Sequence, residues 1–198
     1  MALPSQDKHF NPKSVYQAAP LLVCFSYCPN LETALDIGAH VGYTARIMGV
    51  RFKRVICFEP ALDLIPFLRQ NVPFAEIHPF ALGAEHSWGK LHRPKAANTG
   101  SGEVHPGNEF EIRRLDDCDV GQVDFIKIDV QGMELDVLKG GEKTIVRDKP
   151  LIFCEGTDDC EAERWLRRHG AYICARVGQD FLAGWNSFCT HGAFKQPL

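Results

Sequence analysis

A glycine-containing turn and two acidic residues form the first group in the sequence that could bind a ligand. In the stretch ALDIGAHVGY, residues 34–43, an apolar run ends at Asp36, and Gly38 and Gly42 follow around a short turn. Glycine has no Cβ, so the backbone can approach a bound molecule closely there. Glu59 ends the next apolar run 21 residues after Gly38, near the spacing of about 20 at which an acid hydrogen-bonds ribose in nucleotide-binding folds. The pattern predicts a ligand that contains a ribose.

The spacing of the turn also restricts which ribose-containing ligand we expect. A dinucleotide pyrophosphate calls for G-x-G-x-x-G, whereas this turn has G-x-x-x-G, with Ala39 and His40 after the first glycine. Asp36 has the wrong charge to lie beside a phosphate and suits a cationic amine. S-adenosylmethionine (SAM) has a ribose, an adenine and an amino-acid tail but no phosphate, so it is the expected cofactor. An ordinary strand-to-helix turn is the alternative.

Alternating β-rich and amphipathic helical runs must position these residues, and they predict an α/β fold with a parallel sheet. Ligands bind such sheets beyond the carboxyl ends of the strands. The last two strands should form an antiparallel hairpin, because a tight turn at Gly178 cannot join parallel strands. Strands are predicted at 33–38, 54–60, 75–83, 123–130, 150–155, 171–178 and 180–190, and helices at 43–50, 62–72, 133–141 and 158–170.

The region between the third and fourth main strands is less regular. Short strands are expected within 88–94 and 108–115, around a loop at 95–108 that is rich in Gly, Ser, Asn and Pro. Loops of this length are often functional. We expect residues 1–30 to be a separate segment that packs on the core or over the pocket, followed by one domain at 31–198.

Composition excludes several classes of protein. A chain of 198 residues with 45% hydrophobic residues suits a single packed domain. The net charge of -3 lacks the basic excess of a nucleic-acid-binding protein. The apolar stretch at 18–25 is too short for a membrane span, which needs about 20 residues, and it lacks the marks of a secretory signal, so we expect a cytoplasmic protein. The eight cysteines show no spacing typical of a zinc site, and no metal is predicted.

Four segments resemble motifs of the FkbM family of SAM-dependent methyltransferases. They are DIGAHVGYTA, VICFEP, PFALG and VDFIKIDVQGMELDVLKGG, within about residues 33–156. The last is the most specific, because the family typically has K-I-D-V-E-G-x-E followed by V-L-x-G, and here Gln131 replaces the usual acid. The resemblance implies the class I methyltransferase fold, a three-layer sandwich around a mostly parallel seven-stranded sheet with an antiparallel C-terminal hairpin. It also implies SAM as donor and a hydroxyl acceptor.

The resemblance places the cofactor contacts on the turn and on the ends of the strands. Glu59 would bind the ribose, although it could instead cap the following helix. The adenine would lie near Phe80 and the two residues after it, which could equally belong to the core. His40 could be a base or only a turn residue, and Tyr43 only a surface group. The expected cofactor-binding residues are Asp36, Gly38, Ala39, His40, Gly42, Tyr43, Phe58, Glu59, Pro60, Ala81, Leu82 and Asp129.

The end of the fourth main strand is the expected place of catalysis. Methyl transfer is a displacement at an activated sulfonium, so the protein mostly supplies alignment, and an alcohol acceptor also invites a general base. Asp129 is the candidate for base or acceptor contact. Lys127 lies two residues earlier on the same face of the strand and could orient Asp129 and lower its pKa. A purely structural Lys–Asp pair is the alternative.

The acceptor is expected to be a sugar or another small molecule. Its predicted contacts are Gln131, Glu134 and Glu155, although Glu134 could simply cap a helix, and the loop at 95–108 is the predicted acceptor lid. The chain is short for the family, so a homodimer could complete the pocket. Two other interpretations stay open. An NAD(P)-dependent oxidoreductase is disfavoured by the missing third glycine, and a non-catalytic SAM-binding module is compatible with Gln131.

Overall fold

The computed structural model describes residues 1–5, 18–93 and 99–185. The strands are β1 (Thr33–Ile37), β2 (Arg54–Phe58), β3 (Glu76–His78), β4 (Ala81–Leu82), β5 (Ser87–His92), β6 (Glu103–Pro106), β7 (Phe110–Arg113), β8 (Phe125–Ile128), β9 (Leu151–Glu155), β10 (Tyr172–Val177) and β11 (Asp180–Gly184). The α-helices are α1 (Ala18–Phe25), α2 (Tyr43–Met48), α3 (Ile65–Asn71), α4 (Glu134–Gly140), α5 (Glu142–Asp148) and α6 (Glu161–Arg168), and a short 3-10 helix spans Leu115–Asp117.

The main sheet has seven strands in the order β3-β2-β1-β8-β9-β11-β10. The strands from β3 to β9 run parallel, whereas β11 is antiparallel to both β9 and β10. The prediction of a mostly parallel seven-stranded sheet with an antiparallel terminal hairpin is therefore confirmed. The strand order reverses next to β1, where Ile37 is in register with Phe58 of β2 and Ile128 of β8. The residues that follow these three strands consequently meet at one edge of the sheet.

Helices cover both faces of this sheet and make the three layers. Leu35 and Ile37 of β1 belong to one apolar cluster, to which α4, α5 and α6 contribute. Ala34 belongs to the cluster on the other face, with residues from α1, α2 and α3. A parallel sheet covered on both faces has apolar residues on both sides of each strand. Every residue of β1 and β8 is buried. Both strands are therefore mostly apolar and could be predicted from the sequence.

A second sheet, which we call the roof sheet, consists of β4, β5, β6 and β7 in the order β4-β7-β5-β6. Its own small apolar cluster contains Ala81, Phe110 and Ile112, with Leu91 and Val104 packed against them. The pairs β5–β6 and β5–β7 are antiparallel, and β4–β7 is parallel. The roof sheet lies over the carboxyl edge of the main sheet, because its residues and those after β1 and β2 line one cavity.

Three sequence-based assignments differ from the structure. The strand predicted at 75–83 is divided between the two sheets, because β3 pairs with β2 and β4 pairs with β7. The predicted loop at 95–108 contains β6, which pairs with β5 although its residues are mostly exposed. Helix α5 was not predicted, and it follows α4 after Gly141 alone. Residues 94–98 and 186–190 of the predicted elements lie outside the described residues, as do 6–17.

Within the first thirty residues, α1 packs on the core. Leu21, Cys24 and Phe25 are fully or almost fully buried. The Phe25 ring meets Phe52 and Phe125 edge to face, with ring centroids 5.1 and 5.0 Å away. Among the described helices, none combines the length and the hydrophobicity that crossing a bilayer requires.

Candidate active site

A cavity of about 210 Å³ opens at the carboxyl edge of the main sheet. Its floor, as we call it, consists of the ends of β1, β2 and β8 and the turn at residues 38–42. Ten of the twelve predicted cofactor-binding residues line the cavity, namely Gly38, Ala39, His40, Tyr43, Phe58, Glu59, Pro60, Ala81, Leu82 and Asp129. Lys127 and Gln131 line it as well. Because β1 and β8 are neighbours in the sheet, the glycine turn after β1 lies beside the predicted catalytic residues at the end of β8.

Gly38 lets β1 and β8 approach each other at the floor. Its φ of +77° lies in the left-handed region, and a Cβ there would lie 2.0 Å from the backbone oxygen of Asp129. Any side chain would therefore push the two strands apart. Gly42 also has a positive φ, but its missing Cβ faces Leu68 of α3 at 2.9 Å, and Gly42 does not line the cavity. Its role in the structure is to let α3 pack against the turn.

Lys127 is a buried cation beneath the turn. Its Nζ donates to the carbonyl of Gly38 at 2.8 Å and lies 3.3 Å from Asp36 Oδ1 and 3.7 Å from Asp129 Oδ2. Burial lowers the pKa of Lys127, but the two carboxylates outweigh it and raise the pKa above its ordinary value. Lys127 therefore stays charged and ties the turn to both acids.

Asp36 lies behind Lys127 and does not line the cavity. It is fully buried, and neither of its carboxylate oxygens has a hydrogen-bond partner among the described residues. Burial raises the pKa of Asp36, while the charge of Lys127 opposes that shift. The structure thus gives Asp36 the ammonium of Lys127 as its charge partner in place of the direct cofactor contact that the sequence suggested.

Glu59 is buried at the end of β2 and lines the cavity. Its Oε2 accepts the backbone N–H of His40 and its Oε1 accepts that of Ala61, both at 2.8 Å. Burial raises the pKa of Glu59, and these hydrogen bonds offset part of the rise. Each carboxylate oxygen keeps a second acceptor position. Glu59 can therefore fix the turn and still accept hydrogen bonds from a ribose diol.

Gln131 joins two carboxyl groups at the acceptor side of the floor. Its Nε2 donates to Asp129 Oδ1 at 3.0 Å and to Glu155 Oε2 at 2.9 Å. Burial opposes ionisation of Asp129, but Lys127 and these hydrogen bonds hold the pKa of Asp129 below its ordinary value. Burial, followed by the charge of Asp129, raises the pKa of Glu155 to about 8. These opposite shifts favour an ionised Asp129 beside a protonated Glu155 near neutral pH.

A second cavity, of about 330 Å³, adjoins the first and shares Gln131 with it. All three predicted acceptor residues line this second cavity. Glu134 also accepts the backbone N–H groups of Val130 and Gly132 at 3.2 and 3.1 Å, so it caps the turn into α4 as well. The remaining lining residues are Glu103, Gly132, Gly156, Thr157 and Gln179.

The roof sheet supplies cavity residues that sequence analysis missed. Leu91 belongs to β5, Arg93 follows β5, and Val104 belongs to β6. Three more lining residues, Thr99, Gly100 and Gly102, precede β6. The described part of the predicted acceptor lid therefore covers the cofactor cavity, and only its Glu103 lines the second cavity. His40 connects floor and roof through a contact of 2.6 Å between its Nε2 and Thr99 Oγ1. Polar alternation in 87–92 was the one signal for this wall.

Phe80 belongs to the core and not to the cavity. It packs in the main apolar cluster, and the guanidinium of Arg113 lies 4.4 Å from the centre of its ring. Ala81 and Leu82, which follow, do line the cavity. Of the three residues expected near the adenine, only Ala81 and Leu82 line the cavity.

The residues of the first cavity fit SAM better than a pyrophosphate cofactor. The cation nearest the turn, Lys127, already has Asp36 and Asp129 as partners, so its charge is matched. Asp129 is about one-third exposed and would repel a phosphate at the turn. Glu59 at the end of β2 offers acceptor positions for a ribose, which SAM and a dinucleotide share. Among the described residues, no group of three or more His, Cys, Asp or Glu could hold a metal ion.

Comparison with solved structures shows the same fold. The methyltransferase FkbM from Methylobacillus flagellatus KT has a TM-score of 0.59 at 21% identity, over 77% of this chain and 43% of that one. A precorrin-6y C5,15-methyltransferase from Geobacter metallireducens GS-15 has a TM-score of 0.57 at 14% identity, over 91% and 92% of the two chains. A ribosomal protein L11 methylase from Lactobacillus delbrueckii subsp. bulgaricus has 0.56 at 16%, over 88% and 79%.

Comparison of sequences identifies the family. No curated protein gives a significant match, and the chain spans less than half of the length of the M. flagellatus protein. Residues 36–172 match the Methyltransferase FkbM domain, which is most of the chain. The match includes the glycine turn, Glu59, Lys127, Asp129 and Glu155, all at the carboxyl edge of the sheet. The chain therefore belongs to the FkbM family of SAM-dependent methyltransferases.

Proposed function

We propose that this protein transfers a methyl group from SAM to a hydroxyl group of a sugar or another small molecule. The observation that carries the proposal is the meeting of the two cavities at Asp129, Gln131 and Glu155. Asp129 lines the first cavity, Glu155 lines the second, and Gln131 lines both. A donor in one cavity and an acceptor in the other would have a carboxylate and a carboxyl group between them.

On the donor side, the floor would hold SAM through its backbone and Glu59. Gly38 brings the backbone of β1 and β8 close to the ligand, and Glu59 offers acceptor positions to the ribose hydroxyls. When bound, SAM supplies a methyl group on a sulfonium, which leaves as the sulfur retains the C–S electron pair. The chain need not activate the donor, and its main contribution is alignment.

On the acceptor side, Asp129 is the proposed base. As the acceptor oxygen forms its bond to the methyl carbon, its proton would pass to the carboxylate of Asp129. Lys127 and Gln131 keep Asp129 ionised and fix its position. Glu155 holds its proton near neutral pH because its pKa is raised to about 8. It can therefore donate a hydrogen bond to a second oxygen of the methyl-accepting molecule.

The chemistry of the second cavity supports a neutral polyhydroxylated acceptor. Its described lining contains glutamate, glutamine, threonine and glycine, and no lysine or arginine. Hydroxyl groups can both donate to carboxylates and accept from amides. A phosphate backbone would meet three glutamates there, which disfavours nucleic acid as the acceptor, in keeping with the net charge of -3.

Asp129→Asn tests this function directly. With radiolabelled SAM and a panel of neutral sugars and hydroxylated small molecules, we expect wild-type protein to label at least one compound. Asp129→Asn should lower turnover on it by about 100-fold or more, the range for losing a general base, with little change in affinity for S-adenosylhomocysteine. Asp136→Asn, on the surface of α4, is the control.

The other interpretations give different results. Stabilisation by NADH but not by S-adenosylhomocysteine would show an oxidoreductase. Binding of S-adenosylhomocysteine without methylation of any acceptor would support a non-catalytic module. Full turnover by Asp129→Asn would show that Asp129 is not the base, but it would leave the methyltransferase function supported.

Two proposals concern the chain as a whole. The first is that segment 1–30 stabilises the domain 31–198, because Leu21 and Phe25 are buried against it. Removing 1–30 should therefore lower the melting temperature of the remaining domain. A homodimer is the proposed way to complete the acceptor site, and light scattering after size-exclusion chromatography measures it.

A further inference from the structure

Arg93, one residue beyond β5 in the roof sheet, has a buried donor with no partner among the residues that the structure describes. Its Nη1 and Nη2 donate to the two carboxylate oxygens of Asp63, at 2.7 and 2.9 Å. Its Nε is buried and makes no hydrogen bond to any described residue. Leaving a buried donor unsatisfied is costly, and more so when the group is charged. A ligand that accepts this hydrogen bond would remove the cost.

The surroundings of Arg93 show which ligand that is. Arg93 lines the cofactor cavity and also a shallow neighbouring pocket with Pro60, Ala61 and Asp63, all just after β2. The charge of Arg93 acts on Glu59, whose pKa it lowers against the effect of burial. Pro60 and Ala61 line both cavities with Arg93, so Arg93 lies beside the segment that directly follows Glu59, where a ribose would lie.

The ion pair with Asp63 also holds the guanidinium in a fixed orientation. Asp63 accepts one N–H from each terminal nitrogen, whereas Nε–H has no partner among the described residues. Because the guanidinium is planar and held at both ends, it presents Nε–H in one direction. Only 23% of the Arg93 side chain is exposed, so water competes weakly for this donor. A cavity-lining residue of the roof is thus anchored to the segment after β2, and it keeps one buried N–H without a partner among the described residues.

We propose that Arg93 binds the nucleoside half of SAM, with Nε–H donating to an acceptor atom of the ribose or adenine. This inference rests on the proposed use of SAM by this cavity. It assigns a cofactor-binding role to the roof sheet, whereas the glycine turn and Glu59 place cofactor contacts only on the floor. Asp63 is then a positioning residue, because it acts on the ligand through Arg93.

Two ligands distinguish the nucleoside half from the amino-acid half. Isothermal titration calorimetry is done with S-adenosylhomocysteine and with 5′-methylthioadenosine, which keeps the nucleoside and lacks the amino-acid end. Arg93→Met should weaken binding of both compounds by a similar factor, roughly 10- to 100-fold for one lost charged hydrogen bond. Arg93→Lys, which keeps the charge near Glu59 but not the fixed N–H, should also weaken both. Lys90→Met, which changes an exposed residue of the preceding strand β5, should bind like wild type.

The outcomes separate this inference from the function on which it rests. If wild-type protein binds neither compound, the proposed function fails and the inference with it. If wild type binds both and Arg93→Met binds equally well, only the role of Arg93 is overturned. A loss confined to S-adenosylhomocysteine would place Arg93 at the amino-acid end and also overturn the assignment.

Asp63→Asn covers the case in which Arg93→Met does not fold. This change keeps Arg93 but removes the charge of its anchor, and the Asp63 side chain is half exposed. We expect both compounds to bind several-fold more weakly, because the N–H direction is no longer fixed. Unchanged dissociation constants for both compounds, at an unchanged melting temperature, would contradict the proposal.

Discussion

The floor and the roof of the first cavity are built in different ways. The floor continues strands that are buried on both faces, and its backbone is fixed by contacts such as that of Lys127 with the Gly38 carbonyl. In the roof, β5 and β6 have mostly exposed residues, and the sheet is anchored by the small apolar cluster around β4 and β7 and by Arg93–Asp63. The same cavity thus has one wall that belongs to the core and one that does not. Changes in the floor should affect folding, and changes in the roof should affect binding.

Gly38→Ala should have the largest effect, because it alters the floor where two strands meet. The new Cβ would lie 2.0 Å from the Asp129 backbone oxygen at a φ of +77°, so we expect a loss of more than about 4 kcal/mol in the free energy of unfolding. Gly132→Ala is the matched control, because Gly132 also has a positive φ but no atom within 4 Å. Circular dichroism during urea unfolding measures both. Equal losses would mean that backbone conformation alone matters and that the floor is less rigid than we infer.

Lys127→Met should be the next largest, again through stability. It leaves Asp36 buried without its charge partner, for which about 3–5 kcal/mol is expected. The loss should be smaller at low pH, because the pKa of Asp36 is raised by burial and the protonated acid needs no partner. Urea unfolding at pH 5 and pH 8 measures this, and adding Asp36→Asn should restore part of the stability. A mutant as stable as wild type would show that the pair is dispensable.

Glu59→Gln refines the contrast, because it concerns a floor residue that should affect binding most. Replacing the carboxylate removes charged hydrogen bonds to a ribose diol, which should weaken S-adenosylhomocysteine binding by about 1–3 kcal/mol. Calorimetry measures the affinity, and Glu85→Gln on the exposed surface is the control. Unchanged affinity would leave Glu59 with only its role of accepting the N–H groups of His40 and Ala61.

Glu155→Gln should have the smallest effect, visible as a change in pH dependence. The pKa of Glu155 is raised from 4.5 to about 8, so its contribution to stability is present below about pH 4.5 and is lost as the pH rises through about 8. The melting temperature of wild type should fall relative to that of Glu155→Gln across this range. Glu103→Gln, which removes an exposed carboxylate of the same cavity, should follow wild type. Parallel curves for wild type and Glu155→Gln would contradict the shift.

The floor could be predicted from the sequence and the roof largely could not, for a physical reason. Parallel strands buried on both faces give continuous apolar runs, and their carboxyl ends converge, so the turn, Glu59 and Asp129 could be placed together. Strand β6 has mostly exposed residues, and only its pairing with β5 makes it a strand. Helix α5 escaped prediction because Gly141 has a negative φ and does not reverse the chain.

Side-chain contacts between distant residues left no local signal. Gln131 was noted as a departure from the family, but its bridge to Glu155 spans 24 residues and depends on a left-handed backbone at Gln131. The pair of Arg93 and Asp63 spans 30 residues. Such contacts depend on how the two sheets are placed relative to each other, which local patterns do not contain.

The position of β11 has a consequence for synthesis on the ribosome. This strand, Asp180–Gly184, lies between β9 and β10 and is buried along its whole length. Until residue 184 has left the exit tunnel, the growing polypeptide exposes the unpaired side of β9 to other chains. The half of the sheet that contains β1, β2 and β8 is already complete by then, so its carboxyl edge can form in a nascent chain that still lacks its final pairing. Premature release at that stage would yield a partly folded, aggregation-prone molecule.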